Sequence, residues 1–573
     1  MSRKLWLHMD SARLSVFLYG IVIALLCCRA FRSSPSIDEC GHLAAGLSHC
    51  QHGTFHLYKV NPPLVRTCAL LIPSLLAEYE VPDTNGPPES RREFEFGKWL
   101  FNVDPETSLT QLRVGRFFNI ALVLLLSLIY KNWLDSPLDA PSISRAATIL
   151  SLFSPQILAS AGMITPDLGA ALSGGIAMLQ FRRWLQRPSG ERSLLLAFSA
   201  TFAFLCKFTW CVVLPCAFLI SWVVFRITEK NENPEPRISY RQLSLVVVVC
   251  LFTINSFYLF DGSFSQLGDI RFVSKLLTGE SSPSALPNRF STSVGHAIPV
   301  PLPRLYVQGI DLQKLDFERG FRSYLMGEWK KGGWWYYYLV GFLVKEPIGF
   351  QLMLYISILN GLYHWKHWTK HSIREWSFIV LPPLLIFGLV SSQTGFNHHM
   401  RYVLPAYPFL FIIAARTVTL GKFWKWFSYG CMTWQVVAVL WFAPHWMSYF
   451  NEAAGGPKNG HDWLVDSNID WGQDILGLKW WQDEHPEVDL QAALFTGFDP
   501  ADIGLKFRLP APYLQGQPDV VSKDGLRGPQ AGWYAVSVCQ LKGHSFSVPN
   551  GEGGWEWSMA TSRISWSTLN RWT

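Results

Sequence analysis

A series of long apolar stretches, closed at their ends by basic residues, constrains this chain more than any other feature. The stretches cover residues 14–30, 114–130, 143–163, 168–185, 194–207, 208–225, 243–260, 350–365, 378–390, 402–418 and 427–443. A helix needs roughly 20 mostly apolar residues to cross the hydrocarbon core of a bilayer. Several runs are shorter, so their ends are set only to within a few residues, and the expected count is about eleven crossings. Composition agrees: 49% of the 573 residues are hydrophobic and 16% charged, and 26 Trp and 39 Phe supply the rings that gather at membrane interfaces. A disordered, collagen-like, coiled-coil or disulfide-stapled secreted chain is excluded. The 11 cysteines form no CxxC pair, and Cys27, Cys28, Cys211, Cys216 and Cys250 sit inside apolar runs as small hydrophobes.

The basic residues give an orientation, because inner loops are enriched in Lys and Arg. Arg3 and Lys4 place the N-terminus inside. The loops then expected inside carry Lys131 and Arg145; Arg182, Arg183, Arg187 and Arg192; Arg226, Lys230, Arg237 and Arg241; Lys366, Lys370 and Arg374; Lys422 and Lys425. The net charge of +7 is therefore an orientation signal, and no nucleic-acid partner is implied. Residues 14–30 also read as a secretory signal, but Cys28-Arg29-Ala30-Phe31 is a poor cleavage site. Three long segments fall outside: 31–113, 261–335 and 444–573. The expected organisation is a membrane domain over 1–443 and an outer domain over 444–573. The outer domain is read as small and mixed α/β, with a strand near Trp533–Val538. No repeat of 20–50 residues is visible.

This topology brings scattered polar residues to one depth on the outer side. Asp38 and Glu39 follow the first crossing, and Asp167 lies in the turn between the third and fourth. Lys207 follows the fifth, Lys345 precedes the eighth, and His398, His399 and Arg401 lie between the ninth and tenth. Ionisable groups at membrane depth are costly and usually functional. Each also has a structural reading. Asp38 or Glu39 suits a helix N-terminus, Asp167 a turn, and Lys207, Lys345 and Arg401 interfacial anchors. Residues 65–76, with Arg66 and Pro73 inside, read as an interfacial helix, and Trp334–Tyr338 as an aromatic helix at headgroup level. Together they would line a groove open to lipid. His42, His49, His52 and His56 come without an HExxH or CxxC partner, so a structural role is favoured over a metal site. No Walker loop or GxGxxG run implies a nucleotide cofactor.

At these residues the chain resembles the membrane glycosyltransferases of the GT-C fold. It looks most like the bacterial branch that includes protein O-mannosyltransferases and the lipid A aminoarabinose transferase. The resemblance rests on Asp38-Glu39-x-Gly41-His42, Gly53-x-Phe55, Tyr58, Asn61-Pro62-Pro63-Leu64 and Arg113-x-x-Arg116. It continues through Thr165-Pro166-Asp167, Lys207-Phe208-Thr209, Val344-Lys345-Glu346-Pro347, Arg401-Tyr402-x-Leu404-Pro405 and the segment 466–474. Asn61 departs from the basic residue common in the family before Pro62, and the tail does not resemble the family's sugar-binding trefoil.

The resemblance implies transfer of a sugar from a polyprenyl phosphate to a hydroxyl of a protein, lipid or glycan, with inversion, at the outer face of the inner membrane. Asp38 is then the base, with Glu39 and Asp167 orienting it or the acceptor. Lys207, Lys345, Arg401, His398 and His399 meet the donor phosphate, and His42, Tyr58 and Asn61 lie along the groove. Cations aimed at the leaving phosphate make a metal chemically unnecessary, and no cofactor is expected. Trp463, Trp471, Trp480, Trp481 and Trp533 of the tail read as sugar-stacking or core residues. A flippase for a lipid-linked saccharide, a non-catalytic membrane binding protein and a hydrolase of the lipid-linked sugar remain as alternatives.

Overall fold

The computed structural model describes residues 2–80, 87, 89–133, 141–228, 238–279, 288–511, 525, 530–544 and 546–557. Lys230, Arg237 and the side chains of Arg3, Lys4 and Lys131 lie outside the described residues.

All eleven apolar runs fall on helical segments. In chain order the helices are α1 (Ser2–Arg32), α2 (Ile37–His52), α3 (Leu64–Leu70), α4 (Arg92–Val103), α5 (Pro105–Trp133), α6 (Pro141–Leu152), α7 (Pro155–Ala161) and α8 (Pro166–Gln186). Next come α9 (Gly190–Cys206), α10 (Thr209–Thr228), α11 (Tyr240–Phe257), α12 (Lys275–Thr278), α13 (Arg304–Arg319), α14 (Tyr337–Lys345), α15 (Ile348–Tyr363), α16 (Lys370–Ser392), α17 (Tyr407–Ala415) and α18 (Lys422–Trp441). By length and composition, five helical segments among the described residues suffice alone to cross a membrane: Pro105–Tyr130, Thr209–Thr228, Tyr240–Phe257, Lys370–Ser392 and Met400–Thr419. Tyr240–Phe257 is only 11% buried in its most apolar stretch, yet Val247, Val248 and Phe252 face outward. Such a surface is stable against lipid and costly against water.

Two expected crossings are not regular helices. Residues 143–163 break between α6 and α7, where Pro155 has no N–H to donate and the Ser154 hydroxyl accepts from Ile157 N–H at 3.4 Å. Residues 402–418 begin as a 3₁₀ segment, Met400–Ala406, containing Pro405, before α17 takes over. The interfacial reading of 65–76 corresponds to α3 and a following turn whose Leu71, Ile72, Leu75 and Leu76 are exposed. The aromatic reading of 334–338 needs correction: Trp335 is exposed, but Tyr337 and Tyr338 are buried in the main core.

The helix ends sort into two faces. Arg182, near the end of α8, pairs with Glu375 at the start of α16 at 2.6 Å. Asp167 begins α8, whose 21 residues separate the two ends by roughly 30 Å. Arg182 and Arg374, at the basic ends of α8 and α16, therefore lie opposite Asp167.

Near Asp167, α1 turns into α2 through 88°. Arg116 on α5 holds the bend. It donates to the carbonyls of Ala30, Ser33 and Ser34, which the end of α1 leaves without helical partners, and to both oxygens of Glu39 at 2.9 and 2.8 Å. Glu39 also accepts from Ser36 N–H and from Ile164 N–H, each at 3.0 Å.

The strands are short: β1 (Arg322–Leu325) and β2 (Glu328–Lys331) form a hairpin before the tail, and within the tail β3 (Leu490–Ala493) pairs parallel with β4 (Trp533–Val536). A last antiparallel pair is β5 (Ser547–Pro549) with β6 (Trp555–Trp557). The chain does not separate cleanly at 443, because Trp446, Phe450, Leu464, Ile469 and Trp471 join the main hydrophobic core.

Candidate active site

Where the loops meet the ends of α2, α8 and α9, a cavity of about 840 Å³ opens. Asp38, Tyr58, Asn61, Asp167, Lys207, His399 and Arg401 all line it. They arrive by separate local routes. Asp38 sits in the first turn of α2, after the bend pinned by Arg116. Thr165-Pro166 starts α8 with proline in its first turn, putting Asp167 at the positive end of the helix dipole. Lys207 is the extended residue that ends α9, where a cation is favoured. Arg401 lies in the 3₁₀ segment Met400–Ala406.

The four charged groups form a chain. The Arg401 Nη2 group donates to Asp38 Oδ2 at 2.8 Å, and its Nε lies 3.6 Å from Asp167 Oδ2. Asp167 Oδ1 accepts from Lys207 Nζ at 2.5 Å. The Arg401 guanidinium rests on Trp471 at 4.0 Å, and the Lys207 ammonium on Tyr402 at 4.7 Å. Arg401 Nη1 and Asp167 Oδ2 are buried without a hydrogen bond among the described residues. Buried polar groups seldom stay unsatisfied, so these open valences face a place for a polar ligand.

Burial pushes the Asp38 carboxyl up, against the pull of Arg401 and Arg91, so it holds a proton more readily than an ordinary aspartate. His399 is pushed well below its ordinary value by burial and by Arg401, so it is a neutral hydrogen-bonding group at neutral pH. It lines the same cavity as Arg401 and Lys207. Its Nδ1 contacts the Ser467 hydroxyl at 2.5 Å.

Four expected site residues stand apart from the cavity. Glu39 is fully buried under Arg116, with both oxygens occupied, and it orients α2 instead of touching a ligand. Lys345 spends its ammonium on the carbonyls of Met447 and Asn468, at 2.6 and 2.5 Å, and does not line the cavity. His398 faces Asp466 at 3.2 Å, behind the cavity wall. His42 is buried against Tyr58, with ring centroids 5.0 Å apart, one layer behind the groove.

The opposite wall comes from residues that sequence reasoning missed: Arg91, Phe94, Gln313, Asp316 and Phe317. Arg91 pairs with Glu93 at 2.5 Å and approaches Asp316 at 3.7 Å. The signal that would have found α13 is its amphipathic spacing, Leu305, Tyr306, Gly309 and Leu312 being buried, with Asp311 a buried polar exception that accepts from Val273 and Ser274 N–H. Trp471 is buried and occupied by Arg401, so it is not free to stack on a sugar. Asp466 supports the wall from behind. Burial alone would raise it, but the hydrogen bond from His398 and the nearby imidazoles hold it well below the usual carboxylate range.

Among the described residues no three His, Cys, Asp or Glu side chains gather as metal ligands. His49 bonds Thr67, His52 bonds the Tyr79 carbonyl and His56 pairs with Asp261.

No family model matches the chain, and no curated protein matches it in sequence. Among solved structures, ArnT from Cupriavidus metallidurans in the apo state is similar, with a TM-score of 0.42 and 12% identity. That match covers 75% of this chain and 64% of ArnT, so the chain spans less than two thirds of that protein's length. ArnT from the same organism bound to undecaprenyl phosphate gives a TM-score of 0.44 and 11% identity, over 88% of this chain and 86% of that one. A likeness this distant assigns no residue, ligand or reaction to this chain.

Proposed function

We propose that this chain is an integral-membrane, inverting glycosyltransferase of the GT-C type, which moves a sugar from a polyprenyl phosphate to an acceptor hydroxyl at the outer face. The observation that carries the reading is one cavity, at the face opposite the Arg182–Glu375 pair, lined by a proton-hungry carboxylate and by two cations, of which Arg401 keeps an open donor at Nη1. The motif resemblance supports it independently.

In this reading Asp38 takes the proton of the acceptor hydroxyl as its oxygen attacks the anomeric carbon. A weak nucleophile needs such a base within hydrogen-bond reach. The bond from the anomeric carbon to the phosphate oxygen breaks, and the lipid phosphate leaves with one more negative charge. Arg401 and Lys207 meet that charge, which grows only as the bond breaks, so their effect falls on the transition state. The donor phosphate first engages the open Nη1 of Arg401, while Nη2 keeps Asp38 in place. Asp167 holds Lys207 and Arg401 at the right spacing. Gln313 and Asp316, on the far wall, offer hydrogen bonds to sugar hydroxyls.

A midplane transport site is not favoured, because the ionisable cluster sits at one end of α8 and α9. The test is incubation of the purified chain in lipid with labelled polyprenyl-phosphate sugars and a hydroxyl acceptor. Label on the acceptor with inverted configuration supports transfer. Label released only as free sugar indicates a hydrolase, and intact donor with no product removes the proposal.

A further inference from the structure

A second recess of about 1630 Å³ lies between α14, α15, α16 and α17. Its walls are apolar along most of their length, including Phe342, Leu354, Ile358, Leu384, Phe387 and Ile413. One end is different. There Trp368, Trp376 and Arg416 line both this groove and an adjoining shallow recess that also takes in His364, His367 and Ser372. An apolar trough thus runs into a polar, basic mouth.

The mouth lies on the leaflet opposite the candidate active site. From Arg401 the chain passes through the 3₁₀ segment Met400–Ala406 and then α17 before reaching Arg416. That path rises by roughly 27 Å, close to the thickness of a bilayer core. Trp376 also follows Glu375, which marks the basic face through its pair with Arg182.

The cations of this corner are not alike. Arg182 and Arg374 both approach Glu375, at 2.6 and 3.8 Å. Arg416 has only the Trp376 ring, 4.9 Å from its guanidinium, and no acid or side-chain hydrogen bond among the described residues. A guanidinium fork at headgroup depth, beside tryptophans and above an apolar trough, matches a phosphate with a hydrocarbon chain attached. A peptide does not suit the trough, because its backbone would find almost no hydrogen-bonding partners on those walls. The sugar donor does not suit it either, because the cations assigned to its phosphate stand at the other face.

We propose that this groove holds one anionic glycerophospholipid of the inner leaflet, with its phosphate on Arg416 and an acyl chain along the trough. Only the exclusion of the sugar donor rests on the proposed transfer reaction; the undecaprenyl phosphate arm of the test below checks it separately.

The test uses the full chain in detergent, mixed with equal amounts of dioleoyl phosphatidylglycerol, dioleoyl phosphatidylcholine and undecaprenyl phosphate. Retained lipid is counted by native mass spectrometry. The expected result is one retained phosphatidylglycerol, preferred over phosphatidylcholine by roughly fivefold, the size of one basic contact to an anionic headgroup. Arg416→Gln should erase the preference and Arg416→Lys should keep it. Ile358→Trp should reduce retention with Arg416 intact. If Arg416→Gln fails to fold, the wild-type preference and the Arg416→Lys result still decide. Equal retention of the two phospholipids by the wild type would leave Arg416 a simple interfacial anchor and overturn the proposal. Arg416-dependent retention of undecaprenyl phosphate in place of phosphatidylglycerol would overturn it too.

Discussion

Asp38 and Glu39 are neighbours in sequence with opposite electrostatics. Asp38 faces the cavity with its proton affinity raised by burial, while Glu39 lies under Arg116 with its proton affinity lowered. For Glu39, burial opposes ionisation, but the charge and hydrogen bonds of Arg116, with the Ser36 and Ile164 amides, prevail. Two outcomes follow. Asp38→Asn should lower kcat by about 10²–10⁴-fold with an unchanged thermal melt, as expected for loss of a general base. Glu39→Gln should instead destabilise by about 3–5 kcal/mol, because it leaves the buried Arg116 without its counter-charge, and thermal melting would show it. The pH profiles divide in the same way. A carboxylate with a depressed folded-state pKa gives stability that is complete above its unfolded value and drains away as pH falls. Acid unfolding of the wild type should therefore include a limb that Glu39→Gln lacks. The acidic limb of kcat/KM should lie above the ordinary aspartate range. Arg401→Gln should move it higher still, since Arg401 pulls Asp38 down. The acidic pair and the cations were legible as residues. Which member of the pair faces a ligand was not, because one step along α2 turns a side chain by about 100° and only the position of Arg116 sets the phase.

At the scale of elements, close contacts between helices fix the site. Gly97 on α4 lies against the backbone of α2, and a Cβ there would sit 2.6 Å from the Cys40 carbonyl. Gly174 on α8 takes the Trp210 ring of α10 against its backbone, and a Cβ there would overlap that ring. Gly174→Val should therefore push α8 and α10 apart, cost about 1–3 kcal/mol by overpacking and lower activity through Asp167 and Lys207; melting and turnover measured together would check it. The helical runs themselves were readable from hydropathy, and each fell on helix. The break at Pro155 and the 3₁₀ start near Pro405 were not read, although both prolines were visible. A proline in an apolar run is compatible with a kink, a break or a regular helix, and the partners available nearby decide among them.

The whole molecule ties the tail to the membrane helices. Trp471 supports Arg401, Ser467 meets His399, and the Met447 and Asn468 carbonyls hold Lys345. Removing residues 444–573 should abolish turnover and also leave an aggregating chain, because Trp446, Phe450 and Leu464 complete the main core; size-exclusion chromatography would report it. Trp471→Ala is the finer test. It should weaken donor binding, seen as a raised KM, by loosening Arg401 while the fold persists.

The amino-acid order alone determined the run of apolar helices and the helix ends at which acids and bases collect, because transfer into lipid is a local, additive property of each segment. The tertiary structure alone decided that Lys345 and Glu39 serve the scaffold, that His399 reaches the cavity while His398 stays behind its wall, and that α13 and Arg91 wall the cavity. These depend on which buried charge meets which partner across hundreds of residues, and no local pattern encodes that distance.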